Sequence, residues 1–215
     1  MKIISLSANI AGPACAVANC IKKFYHNDYK TNFFDFLEVS FYSIIQLLKI
    51  ENIENIDNEL RTNTYIISNS DNKKSIYFNN FNKMISHHDL EKNYSPEDFE
   101  NFIEKYKRRY NRLINFIKEE DKIFFIRYGL EKEESIINFI NEVNKINEYV
   151  TIYFINVDYD IYNLNINYNI KNYVYINFYN YIDDNKKYED DLYFKTLQFN
   201  WDEVFEIINN INKIV

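Results

Sequence analysis

The chain has 215 residues, 47% hydrophobic and 27% charged, which suits one domain with a sizeable apolar core and excludes a wholly disordered chain. Its 25 basic against 32 acidic side chains give a net charge of −7, which argues against a general nucleic-acid binder. Two Gly and two Pro exclude collagen-like and linker-like compositions, and the wealth of Asn, Ile, Lys, Tyr and Phe reflects AT-rich codons more than chemistry.

Taken in chain order, residues 2–7 form a short apolar run that reads as a strand, punctuated by Gly12-Pro13. The spacing of Cys15, Val17, Ala18, Ile21 and Phe24 predicts a helix, with Pro13 at its first turn. Phe33 to Leu37 read as an ordered aromatic loop, and a second helix is predicted from about Val39. Residues 64–68 and 75–78 read as two strands of a hairpin joined by a polar turn.

Ser95-Pro96-Glu97-Asp98 supplies an N-cap, a first-turn proline and early acids for a helix. Phe99, Phe102, Tyr106, Tyr110, Leu113, Ile114 and Ile117 then keep helical period. Beyond Asp121, strand and helix alternate: KIFFIRY, EESIINFINEVNKI, YVTIYFINV, NYVYINFYNYI and a last helix over 202–214. Continuously apolar strands alternating with helices predict a single α/β domain over 1–215, a mainly parallel sheet with helices on both faces and a small hairpin insertion.

Cys15 and Cys20 lack the partners of a disulfide framework, so a reducing, cytoplasmic setting is expected; the N-terminal apolar stretch is broken by Ser5, Ser7 and Asn9 and does not read as a signal peptide. No stretch is long enough to span a membrane, and oligomeric state is not legible. A CxxxxC pair lacks zinc-knuckle spacing, and two glycines cannot build a phosphate-binding loop. Neither a metal nor a cofactor is implied.

Cys15 enters its helix behind a strand and turn, where dipole and unpaired N–H groups favour a thiolate and could hold an oxyanion. A small core residue is the alternative. His87 and His88, in MISHHDLEKN, offer an imidazole to exchange a thiol proton; a polar surface loop is the other reading. Asp35, set among aromatics in FFDFL, needs a partner, either an imidazole that it orients or a helix cap or Arg. Arg127 ends an apolar strand, where open α/β sheets place ligands. The Lys105, Lys107, Arg108, Arg109, Arg112 run reads as a solvated helix face.

In order, ISLS, CAVANCIKKF from Cys15, FDFL from Phe34, His88-Asp89, EKYKRRYNRLINFI and KIFFIR resemble the papain-like cysteine peptidase family of the domain of unknown function 1796, over about residues 1–130. Ser7 stands at that family's glycine position, and Phe36 replaces its tryptophan. The resemblance implies Cys15 as nucleophile, His88 as base and Asp35 as orienting acid. Asn9, Arg127 and His87 are the candidate substrate-binding residues, and a protein or peptide substrate is expected. Two further functions remain open: a non-catalytic protein-binding module, and a transferase for a phosphorylated or sugar substrate.

Overall fold

A computed structural model describes residues 2–8, 14–25, 29–50, 52–68, 73–78, 81, 84–91, 93–129, 131–158, 166–170, 173–179 and 201–213. The strands are β1 (Lys2–Ala8), β2 (Leu37–Val39), β3 (Thr64–Ser68), β4 (Lys73–Phe78), β5 (Met84–Glu91), β6 (Lys122–Tyr128), β7 (Thr151–Asp158), β8 (Ile166–Ile170) and β9 (Tyr173–Tyr179). The helices are α1 (Ala14–Tyr25), α2 (Phe41–Leu48), α3 (Ile53–Thr62), α4 (Pro96–Glu119), α5 (Glu133–Ile146) and α6 (Trp201–Lys213).

The strands join in one nine-stranded sheet, ordered β3-β4-β5-β2-β1-β6-β7-β9-β8. The five from β2 to β9 run parallel, while β5, β4 and β3 continue antiparallel at one side and β8 closes the other. The hairpin foreseen at 64–68 and 75–78 exists, and β5 joins it to the main sheet. β2, β5, β8 and α3 are not among the elements that the sequence predicts.

Period-two alternation divides the core between the sheet's two faces. Ile123, Phe125, Ile152 and Phe154 point to the side covered by α2, α3, α4 and α5. Phe124, Ile126, Tyr153, Ile155 and Val157 point to the side covered by α1 and α6. Strands apolar at every position are what burial on both faces demands.

α4 begins as its cap residues predict. The Ser95 side chain accepts from the Asp98 N–H, and the Asp98 carboxylate accepts from the Ser95 N–H, a complete capping box. The second helix starts later than its sequence suggests, because Leu37–Val39 pair as a strand and Ser40, in extended conformation, caps α2.

The chain runs outward in both directions from the β1–β6 pair. It passes from β1 through α1 to β2 on one side, and from β6 through α5 to β7 on the other, with the two helices on opposite faces. The carboxyl ends of β1 and β6 are therefore a topological switch point, the place where open α/β sheets form sites. Ser7, Cys15 and Arg127 all lie at this end.

Candidate active site

β1 does not end as a regular strand. Three steps from Ser5 to Ala8 face two from Ile126 to Tyr128, so β1 carries one extra residue, a β-bulge. Ser7 sits within it at φ 58°, in the left-handed region that glycine enters without penalty. Its N–H donates to Ser5 Oγ at 3.1 Å, and its hydroxyl donates to the Leu37 carbonyl, tying β1 to β2. A second left-handed residue, Phe36 at φ 67°, closes the 33–36 turn that leads into β2.

That turn is organised around Asp35, which is fully buried. The Tyr29 hydroxyl lies 2.8 Å from both carboxylate oxygens, Asn32 N donates to Oδ2 at 3.0 Å, and Asn32 Nδ2 donates to Oδ1 at 2.9 Å. Burial lifts the Asp35 carboxyl to about 7, against the Tyr29 and Asn32 hydrogen bonds and the charge of Arg109. In place of the imidazole, helix cap or arginine that the sequence suggests, the hydrogen-bond partners are thus a tyrosine and an asparagine, six and three residues upstream. The Asn-x-x-Asp spacing, typical of side chains that close their own turn, was the available signal.

The histidine pair lies on β5 rather than in a surface loop. Ser86 pairs with Ile76 and Leu90 with Lys74, so three residues of β5 bulge against one of β4. Those three are His87, His88 and Asp89. A bulge lets neighbouring side chains leave strict alternation. Asp89 accepts from Ser86, Lys105 and Tyr106, the last two on α4. The His88 side chain lies outside the described residues.

His87 takes the opposite face. Its Nδ1 is 2.8 Å from Ser75 Oγ and its Nε2 is 3.3 Å from Glu38 Oε1. Leu37 and Val39 enter the core on the α4 side, so Glu38 between them points to the side of α1. Ser75, next to buried Ile76, does the same. Glu38 and Ser75 were not among the sequence candidates, because only pairing across β4, β5 and β2 brings them to one ring.

Cys15 is the second residue of α1 and is half-buried; Cys20 is buried, its thiol pushed up to about 12 by desolvation. Placement at a helix start favours a thiolate, as the sequence suggested, but other effects dominate. Desolvation first, then the charges of Glu38 and Asp35, raise the Cys15 thiol above its ordinary value. The same interactions place Glu38, Asp35 and Cys15 in one electrostatic neighbourhood.

Arg127 is fully buried and turned inward. Nε donates to Glu131 at 2.7 Å, Nη1 to the Leu6 carbonyl at 2.7 Å and Nη2 to the Val39 carbonyl at 3.0 Å, with the guanidinium over the Phe41 ring. It clamps the ends of β1 and β2 to β6. The basic run of α4 is largely paired: Lys105 with Asp89, Lys107 with Asp57 and Glu104, and Arg112 with the Thr31 carbonyl. Asn9, Gly12 and Pro13 lie outside the described residues.

Residues 2–162 match the family described as "Putative papain-like cysteine peptidase (DUF1796)". The chain belongs to this papain-like family. The match runs from β1 to just beyond β7 and takes in every candidate residue. No curated protein and no solved structure matches the chain. Among the described residues, no helix is long and apolar enough to cross a membrane.

Proposed function

We propose that the chain is a thiol-dependent acyl hydrolase or transferase acting on amide or isopeptide bonds of a protein or peptide. The observation that carries this reading is the position of Cys15. It is a partly exposed thiol in the first turn of α1, at the carboxyl ends of the parallel strands, with the carboxylates of Glu38 and Asp35 in its electrostatic neighbourhood.

In this mechanism Cys15 Sγ attacks the substrate carbonyl carbon while His88, the family's histidine, takes the thiol proton. First-turn N–H groups of α1, which have no helical acceptor, stabilise the oxyanion. The C–N bond then breaks as the imidazole returns its proton to the amine, leaving a thioester. Water, deprotonated by the same base, releases the carboxylic acid and restores the thiol. Asp35 serves this site by holding the turn before β2, and Arg127 by fixing the strand ends.

The deciding experiment follows release of an amine from acyl-peptide amides and labelling by an electrophilic peptide probe. Cys15→Ser is expected to abolish both, and His88→Ala to slow turnover by a factor on the order of 10²–10⁴. Turnover that survives Cys15→Ser overturns the reading.

The raised Cys15 thiol supports a second reading, a non-catalytic relative that binds a protein partner. Wild-type protein that is inert to the probe yet folded would favour it. The inward-facing donors of Arg127 speak against the phosphate- or sugar-handling transferase.

A further inference from the structure

The groove between α2 and α5 plays no part in the hydrolase reading. Both helices leave the carboxyl ends of parallel strands, β2 and β6, and so run the same way across one face of the sheet. The Phe41 ring of α2 lies 5.4 Å from the Phe139 ring of α5, which sets their register. Each helix turns residues at i, i+3, i+4 and i+7 toward the shared groove, from Tyr42 to Lys49 on α2 and from Asn138 to Lys145 on α5. The cavity between them measures about 650 Å³, within the usual range of small-ligand sites. α1, with Cys15, covers the opposite face.

The chemistry changes along the groove. Tyr42 and Asn138 stand at one end and the two lysines at the other, roughly 10 Å away along the helices. Tyr42, 57% exposed, offers an aromatic face, and Ile45 an apolar floor. Gln46, Asn138 and Asn141 supply three carboxamides that make no hydrogen bond within the protein among the described residues. Lys145 is paired with Glu142 at 2.8 Å, while the ammonium of Lys49 meets no carboxylate among the described residues. Two lysines against one glutamate leave a single positive charge, in a chain whose net charge is −7.

We propose that this groove binds the carboxyl-terminal end of an extended peptide. A terminal carboxylate carries one charge and matches the one uncompensated ammonium, that of Lys49. A carboxamide has both a donor and an acceptor, so it pairs with the N–H and C=O of a peptide unit as a neighbouring strand does. Extended chain advances about 3.3 Å per residue, so roughly three residues reach from Lys49 to the Tyr42 ring. A phosphate dianion brings twice the charge that Lys49 offers, and a fatty acid leaves the carboxamides without partners. The proposal does not rest on the hydrolase reading.

The test is titration of ¹⁵N-labelled protein with the tripeptide tyrosyl-alanyl-alanine, followed through the side-chain amide NMR signals of Gln46, Asn138 and Asn141. The free acid is expected to shift all three saturably. The same peptide with its terminus amidated is expected to bind about tenfold more weakly, the effect of losing one charge-assisted hydrogen bond. Lys49→Gln, a change at an exposed position, should weaken the free acid by the same factor and leave the affinity of the amidated peptide unchanged. Loosened packing would weaken both peptides alike.

Unmoved carboxamide signals, equal affinity of the acid and amidated peptides, or an equal response to acetate or inorganic phosphate alone overturns the proposal. Cys15→Ser is expected to bind the tripeptide as wild type does. Amide turnover that survives Cys15→Ser therefore removes the hydrolase reading and leaves this one standing.

Discussion

The hydroxyl of Tyr29 lies 2.8 Å from each oxygen of the Asp35 carboxylate, inside a fully buried turn. A neutral donor eases the burial of a charge without cancelling it, which is why Asp35 titrates near 7. Its folded pKa lies above the unfolded value, so between about pH 4 and 7 the folded protein binds more protons. Stability is expected to fall as pH rises through that window, by up to about 4 kcal/mol for three units. Urea midpoints from pH 4.5 to 8 should decline in wild type and flatten in Asp35→Asn. A midpoint that rises with pH in wild type, with the decline absent, would show that Asp35 is ionised at little cost.

Ser7 combines a left-handed backbone with a hydroxyl bonded to the Leu37 carbonyl. Ser7→Ala loses the hydrogen bond and keeps the strain, whereas Ser7→Gly loses the bond and relieves the strain. Glycine should therefore be more stable than alanine here by about 1 kcal/mol. Thermal melts of the two variants give the comparison directly, and equal melting temperatures would show that the β1 bulge relaxes to accommodate a Cβ.

The two cysteines should differ in reactivity. Cys15 is half-buried, while Cys20 is buried and titrates near 12. Alkylation at neutral pH is expected to modify Cys15 first. Because its thiol is raised by burial and two carboxylates, the rate should still be climbing at pH 9. A plateau below pH 7 would mean that an unseen cation, or the helix N-terminus, outweighs those effects.

Arg127 bridges β1, β2 and Glu131 from within the core. Arg127→Ala would leave Glu131 without its cation and two strand-end carbonyls without donors, at a cost of about 3–5 kcal/mol. Arg127→Lys keeps the charge but cannot span the carbonyls of Leu6 and Val39 together, so it should recover only part of that stability. Denaturant midpoints for the pair distinguish a fork-shaped clamp from a simple buried charge; full recovery by lysine would point to the charge alone.

Much of the fold was written in local pattern. The Ser95 cap, the helical stripe from Phe99 to Ile117 and the apolar strands KIFFIRY and YVTIYFINV each announce themselves over a few residues, because backbone satisfaction and burial act at that range. β5 did not: MISHHDLE carries two histidines and an aspartate where alternation should be clear, since its bulge breaks the period. β2, only three residues long, exists through its pairing with Ala8 and β5, and an isolated segment of that length has no stability of its own to advertise.

The chain's own residues, read in order, determined the α/β class, the family and the candidate thiol, because these depend on periodicity and on blocks of neighbouring side chains. Tertiary structure decided what each candidate touches. It turned Arg127 inward, gave Asp35 to Tyr29 and Asn32, and brought Glu38, Ser75 and His87 to a single ring from three strands. Hydrogen bonds and charge effects act over a few ångströms of space, and strand pairing, not sequence distance, sets which groups come that close.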